Sequence, residues 1–337
     1  MDFQLSDDQR ALRSGMRDLL DAVFDRDRMR AAVERGGTLD RSLWRELGAA
    51  GFFALRLPEE VGGVGLGLPE AVLLFEEAGR ALLPGPLVAT HLAAGLVKGA
   101  AEGEAVVTAV DGDLPVAHLA EADAVLVGAD ALVGEPLRAF VAAARPVRSM
   151  DPLTPLHRPG ADTGARAATE RTTAYAERIR FEGALLAAAE QLGSAVRTTE
   201  TAVQHAGARE QFGSPIGSFQ AVKHLCADML ARTEPARAAV YAAAVTGDPV
   251  EIAAAKLLAD EAAVRNARDC LQIHGGMGFT WEADVHLHLK RAWLRSAARL
   301  GGAAAEELLA AALGAARPYP GSSAASGRGA PEAGGGG

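Results

Sequence analysis

Apolar residues recur at intervals of three and four along most of this chain, the period of helices that bury one face. On that pattern residues 6–35, 39–50 and 69–99 are expected to be helical, with Ser6 as an N-cap and Gly36-Gly37 as an interruption. Between them lies "LPEEVGGVGLGLPE", where Gly62, Gly63, Gly65 and Gly67 permit positive φ; a plain connector explains them as well as a binding loop does. From about 104 to 181 the period shortens. "EAVVTAV", "ADAVLVGADALVG" and "PVRSMDPL" are brief apolar runs split by Gly, Asp and Pro, as expected of small strands. The stretch "RPGADTGARAATERTTAYAER" is too polar for core and is expected to cross the surface. Helical spacing returns over 183–208, 218–246, 249–274 and 283–313, and four such helices with short connections predict an antiparallel bundle.

The expected fold class is therefore mainly α with a β insert. Its units are an N-terminal helical domain (1–103), a small middle β domain (104–181), a C-terminal four-helix bundle (182–315) and a Gly/Ser/Pro-rich disordered tail (316–337).

Composition narrows the function. The chain has 337 residues, 49% of them hydrophobic, and a formal net charge of -9, so it can bury a large core and lacks the clustered cations that nucleic acid requires. The first helix keeps its polar residues, giving neither a secretory signal nor a membrane span, and a cytoplasmic location without membrane association is expected. Cys226 and Cys270 lie in apolar helical stretches without CxxC spacing and read as buried thiols. His286 and His288 are two apart, which on a helix turns them about 200° from each other and excludes a shared metal ion; with His274 they read as satisfied or solvent-facing, and no metal is expected.

Two motifs carry chemistry. In "REQFGSPIGSFQAVKHLCADML" the break between helices supplies Arg209, whose planar cation suits phosphate, then Gln211, Phe212 and Gly213, and a new helix N-terminus near Ser218 to Gln220. The plain alternative is an interhelical loop with Phe212 plugging the core. In "QIHGGMGFTWEADVHLHLKRA" Gly275 and Gly276 end a helix, and Gln272 offers an amide one turn earlier; alone, this is equally a glycine cap.

Together these motifs closely resemble the C-terminal half of the acyl-CoA dehydrogenase family, and "LPEEVGGVGLGLPEAVLLFEEAGRALLPGPL" is similar to that family's helical entry domain. The resemblance covers most of residues 1–315. It implies FAD as cofactor, α,β-dehydrogenation of an acyl-CoA, and an electron-transfer flavoprotein as electron acceptor. It places Arg209, Gln211, Phe212 and Gln220 on the FAD diphosphate and adenosine, with Gln272, Ile273, His274, Gly275 and Gly276 contacting it from a neighbouring helix. In this family such residues commonly serve the FAD of a second subunit, implying an oligomer.

The departures are as specific. Residues 104–181 lack the family's "TEPxAGSD"-like segment and its later flavin-binding strand. Counting from Gly275-Gly276 puts Arg299 at the usual position of the catalytic glutamate; counting from Arg209 puts Gly183 at the alternative position, beside Glu182. Glu182 is the first candidate base, and Glu282, in "TWEAD", a weaker one. Motifs kept for a neighbour's FAD, with losses in this chain's own site, resemble the short subunits of heteromeric acyl-CoA dehydrogenases of actinobacterial sterol degradation. The implied partner is a homologous subunit in a heterotetramer, with a homo-oligomer as alternative. A different class also stands: an acyl-CoA-binding or assembly subunit without redox chemistry.

Overall fold

The computed structural model describes residues 4–128, 130–160 and 174–315. The tail 316–337 and residues 161–173 of the expected surface crossing lie outside them. Five helices open the chain: α1 (Asp7–Val23), α2 (Arg26–Glu34), α3 (Arg41–Ala49), α4 (Leu68–Arg80) and α5 (Leu87–Ala93). Ser6 caps α1 in a reciprocal box with Gln9. Two of the expected long helices are broken. Asp25 accepts a hydrogen bond from the Arg28 backbone N–H and starts α2 afresh, while Leu82 at φ 57 and the Pro84-Gly85-Pro86 run separate α4 from α5.

The insert forms two three-stranded sheets. In one, β1 (Val107–Ala109) runs parallel to β3 (Ala124–Val127), whose other edge pairs antiparallel with β4 (Asp130–Leu132). In the other, β6 (Leu156–Arg158) lies between β2 (Val116–Ala117) and β5 (Arg145–Val147), both antiparallel to it. A helix that the β-like texture did not reveal, α6 (Gly134–Ala143), packs Leu137 and Phe140 beneath the first sheet.

The bundle consists of α7 (Ala174–Ala208), α8 (Gln220–Thr246), α9 (Pro249–His274), α10 (Val285–Ala297) and α11 (Gly302–Ala315). α7 begins nine residues before the expected start at 183. The helix expected over 283–313 is two, because Arg299 (φ 49) and Leu300 (φ 69) adopt left-handed backbone before Gly301. Reciprocal glycines lock α4 on α7: a Cβ at Gly193 would lie 1.8 Å from the Glu76 carbonyl oxygen, and one at Gly79 2.0 Å from that of Glu190. That crossing lets one apolar core run through the N-terminal helices and the bundle, with Trp44, Phe52, Phe53 and Phe75 at its aromatic centre. The mainly α fold with a β insert is thus as the sequence pattern indicates.

Candidate cofactor end and buried arginine cavity

α7 carries one candidate site at its C-terminus and another near its middle. At its C-terminus the strands β7 (Glu210–Gln211) and β8 (Ser214–Pro215) form a minimal hairpin. Phe212 (φ 54) and Gly213 (φ 79) supply the two positive-φ residues of its turn. Phe212 does not plug the core: it is 94% exposed and meets the half-covered Phe219 edge to face at 6.2 Å. The exposed Arg209 guanidinium makes no hydrogen bond or ion pair among the described residues, and Gln211 bonds only the adjacent Glu210 carbonyl, at 2.8 Å. Gln220 opens α8, whose N-cap Phe219 provides no side-chain cap.

The second motif reaches the same place. His274, at the end of α9, stacks on His205 of α7 with ring centroids 4.0 Å apart, and its Nδ1 donates to the Cys270 carbonyl at 2.7 Å. Gln272, Gly275 and Gly276 are exposed beside it, and a Cβ at either glycine would meet nothing, so Gly275 is required by its φ of 60 rather than by crowding. Ile273 differs: its side chain is buried with Ala202, Ala206 and Met229, leaving only its backbone for a ligand. The end therefore gathers an unpaired cation, amides, an uncapped helix start and open aromatic rings, the donor set a dinucleotide's phosphates and flat base require. Phe279 (78% exposed) and Trp281 (55%), further along the second motif, are also open to solvent.

Midway along α7 the charges are buried. A cavity of about 180 Å³ lies between the end of α10 and the β insert. That is below the roughly 300–1,000 Å³ of ordinary small-molecule sites. Glu190 of α7 pairs with Arg295 at 2.6 Å, and Arg291 pairs with Asp151 and donates to the Leu83 carbonyl at 3.1 Å. Burial pushes the Glu190 carboxyl above the usual carboxylate range in spite of Arg295, and it pulls Arg295 down to about 10. For Asp151 burial acts in the same upward direction but is outweighed by Arg291 and Thr154, so its pKa stays low.

Gly183 and Arg299, the two positions that sequence counting expected for the base, are neighbours: a Cβ on Gly183 would sit 2.8 Å from Nη1 of Arg299. Glu182 faces a separate cavity shared with His91 and is bound by Arg56 at 2.8 and 3.2 Å and by Arg178 at 3.0 Å. Burial raises its pKa, but these two cations outweigh it and hold the carboxyl below its usual value. Glu282 is exposed on the loop before α10. Cys270 is buried and Cys226 half-buried, both as free thiols; no metal-binding cluster occurs among the described residues. His288 is fully buried against Ser194 Oγ at 2.7 Å, and His286 stacks on Trp281, in keeping with structural roles.

Glu190, Arg291, Arg295 and His118 were not singled out from sequence. A signal existed: Arg291, Arg295 and Arg299 recur every four residues, and Glu190 interrupts the apolar run "GALLAAAEQLGSA".

A model of the acyl-CoA dehydrogenase N-terminal domain matches residues 6–102, and one of the C-terminal domain matches 174–305. The acyl-CoA dehydrogenase IpdE2 of Mycobacterium tuberculosis is 39% identical over 278 residues, covering 78% of this chain and 84% of that protein. This chain belongs to the acyl-CoA dehydrogenase family. IpdE2 of Mycolicibacterium smegmatis is 35% identical over 317 residues, 90% of this chain and 97% of its own length. Among solved structures, the ChsE4-ChsE5 complex of M. tuberculosis superposes with a TM-score of 0.79 at 24% identity, covering 94% of this chain and all of the matched one, a likeness of fold. The exposed end gathers the residues of both sequence motifs, while in the interior Arg299 lies beside Gly183.

Proposed function

We propose that this chain is one subunit of a heteromeric FAD-dependent acyl-CoA dehydrogenase, lending Arg209, Gln211, Phe212 and Gln220, with the Gln272–Gly276 backbone and side chains, to a cofactor held mainly by a homologous partner. The observation that carries this reading is the unpaired Arg209 in an uncovered cluster of donors, while in the interior Arg299 fills the space beside Gly183. FAD, when bound, supplies the acceptor for the hydride leaving the acyl Cβ. Arg209 would neutralise diphosphate charge, Gln211 and Gln272 would donate amide N–H groups, and Phe212 would cover a flat ring. The base for the α-proton falls to the partner, because Arg299 is a cation and Glu182 is committed to Arg56 and Arg178, which makes it a poor proton acceptor. The units 1–103, 104–181 and 182–315 serve this division of labour, with electron-transfer flavoprotein as expected acceptor and a cytoplasmic setting.

Visible absorption and native mass of the chain, alone and co-expressed with a homologous subunit, test this. Flavin should appear only in the mixed oligomer and be lost in Arg209→Ala. Flavin bound by the lone chain would shift the assignment to a homomeric enzyme. The Arg299–Gly183 contact also favours a second reading, an acyl-CoA-binding or assembly subunit without redox chemistry; flavin absent from every oligomer would establish it.

A further inference from the structure

The cavity at the end of α10 is a built site of its own, separate from the exposed motifs. Arg291 is 3% exposed and His118 1% exposed, and both line it. Among the described residues Arg291 Nη2, Arg295 Nη1 and His118 Nε2 are buried without a hydrogen-bond partner, although such atoms in native proteins almost always have one. Arg299, which lines this cavity and also a neighbouring one with Arg180, makes no ion pair within 4 Å among the described residues, and the Asp111 carboxylate is engaged by the Arg299 backbone N–H. His118 turns Nδ1 to Glu121 Oε2 at 3.0 Å, which leaves Nε2 to face inward. The backbone supports this arrangement at a cost: His118 (φ 54) and Arg299 (φ 49) are two of the few non-glycine residues in the left-handed region.

We infer that this cavity binds a carboxylate, received by the free N–H groups of Arg291, Arg295 and Arg299, with His118 meeting a further polar atom of the same ligand. Planar guanidinium donors match carboxylate oxygens better than they match single waters. At about 180 Å³ the cavity admits a group of several non-hydrogen atoms and no cofactor. The remaining wall is mostly apolar, with Leu87, Leu114 and Leu156 beside Thr108, Thr154 and the Arg295-paired Glu190, so a short aliphatic carboxylate suits it. The ligand is either a free short dicarboxylate or the ω-carboxylate of an acyl-CoA tail. This inference does not depend on the flavin assignment.

The test is calorimetric titration of the full chain with glutarate, with the neutral pentanamide, and with glutaryl-CoA against pentanoyl-CoA. Glutarate should bind with a Kd of about 1 mM or tighter, and pentanamide should not. Arg299→Gln should weaken glutarate about tenfold or more, as expected for a lost charged hydrogen bond. Because Arg295 alone would leave Glu190 buried and unpaired, the second variant is the matched Glu190→Gln/Arg295→Met, read together with circular dichroism; it too should lose glutarate. A preference for glutaryl-CoA over pentanoyl-CoA that vanishes in Arg299→Gln assigns the acyl tail, whereas glutarate binding without that preference assigns a free dicarboxylate. Equal behaviour of glutarate and pentanamide, or unchanged glutarate affinity in both variants, would overturn the inference and leave the cavity to water.

Discussion

The middle and the C-terminal end of α7 are built on opposite principles, though one helix carries both. Gly183 and Arg209 are separated by about 39 Å of helix at 1.5 Å per residue. In the buried stretch Arg291 and Arg295 each have a buried acid, while Arg299 has no ion pair among the described residues. At the Arg209 end the cation is unpaired, Phe212 stands in solvent and α8 starts without a side-chain cap. Burial penalises an unpaired charge far more than exposure does. The buried stretch must therefore pair most of its charge in order to fold and keeps only single N–H groups free, whereas the exposed end leaves a whole cation open to solvent.

The sharpest way to break this contrast is to remove one charge from each region. Arg291→Ala, which strands Asp151 in the core, should cost about 3–5 kcal/mol in chemical denaturation. Arg209→Ala should leave stability within about 0.5 kcal/mol. Equal losses would mean that the two regions are not differently built.

Next in size is a dependence on pH. Burial lowers His288 to about 3 and His91 to about 4. Both stay neutral in the fold while the unfolded chain protonates near 6.5, so stability is complete above that pH and declines as pH falls toward about 3–4. Each contributes a slope of about 1.4 kcal/mol per pH unit. Denaturation at pH 7 and pH 5 should show the decline, and His288→Gln should remove one of the two contributions. An unchanged slope in that variant would locate the sensitivity elsewhere.

A smaller effect concerns the flavin oligomer. Arg209→Lys keeps the charge but not the planar fork, and should reduce flavin affinity less than Arg209→Ala does, by less than about tenfold. Smallest of all, Glu182→Gln should leave turnover of the assembled enzyme nearly unchanged while loosening the grip of Arg56 and Arg178, a loss of about 1 kcal/mol. A collapse of turnover with normal folding would restore Glu182 as the base.

Much of the fold was legible because it rests on local rules. The period of apolar residues gave the bundle, and the Gly/Asp/Pro punctuation gave the insert. Where reading failed, backbone conformation decided: Asp25 as a new cap, the proline pair before α5, and the left-handed Arg299-Leu300 that divides the last helix are choices among local alternatives that packing selects. The exposed site was legible because its residues are contiguous in two motifs, with Ile273 the exception that helical geometry turned inward.

The buried site is the reverse case. Sequence by itself determined the family and the helical frame. Only the tertiary structure decided that Gly183 and Arg299, more than a hundred positions apart, occupy one place, that Glu190 answers Arg295 across two helices, and that three buried polar atoms share a cavity with nothing to bond. The physical reason is range. Helix period and capping act over a few residues, while desolvation and ion pairing depend on what the fold brings within a few ångströms.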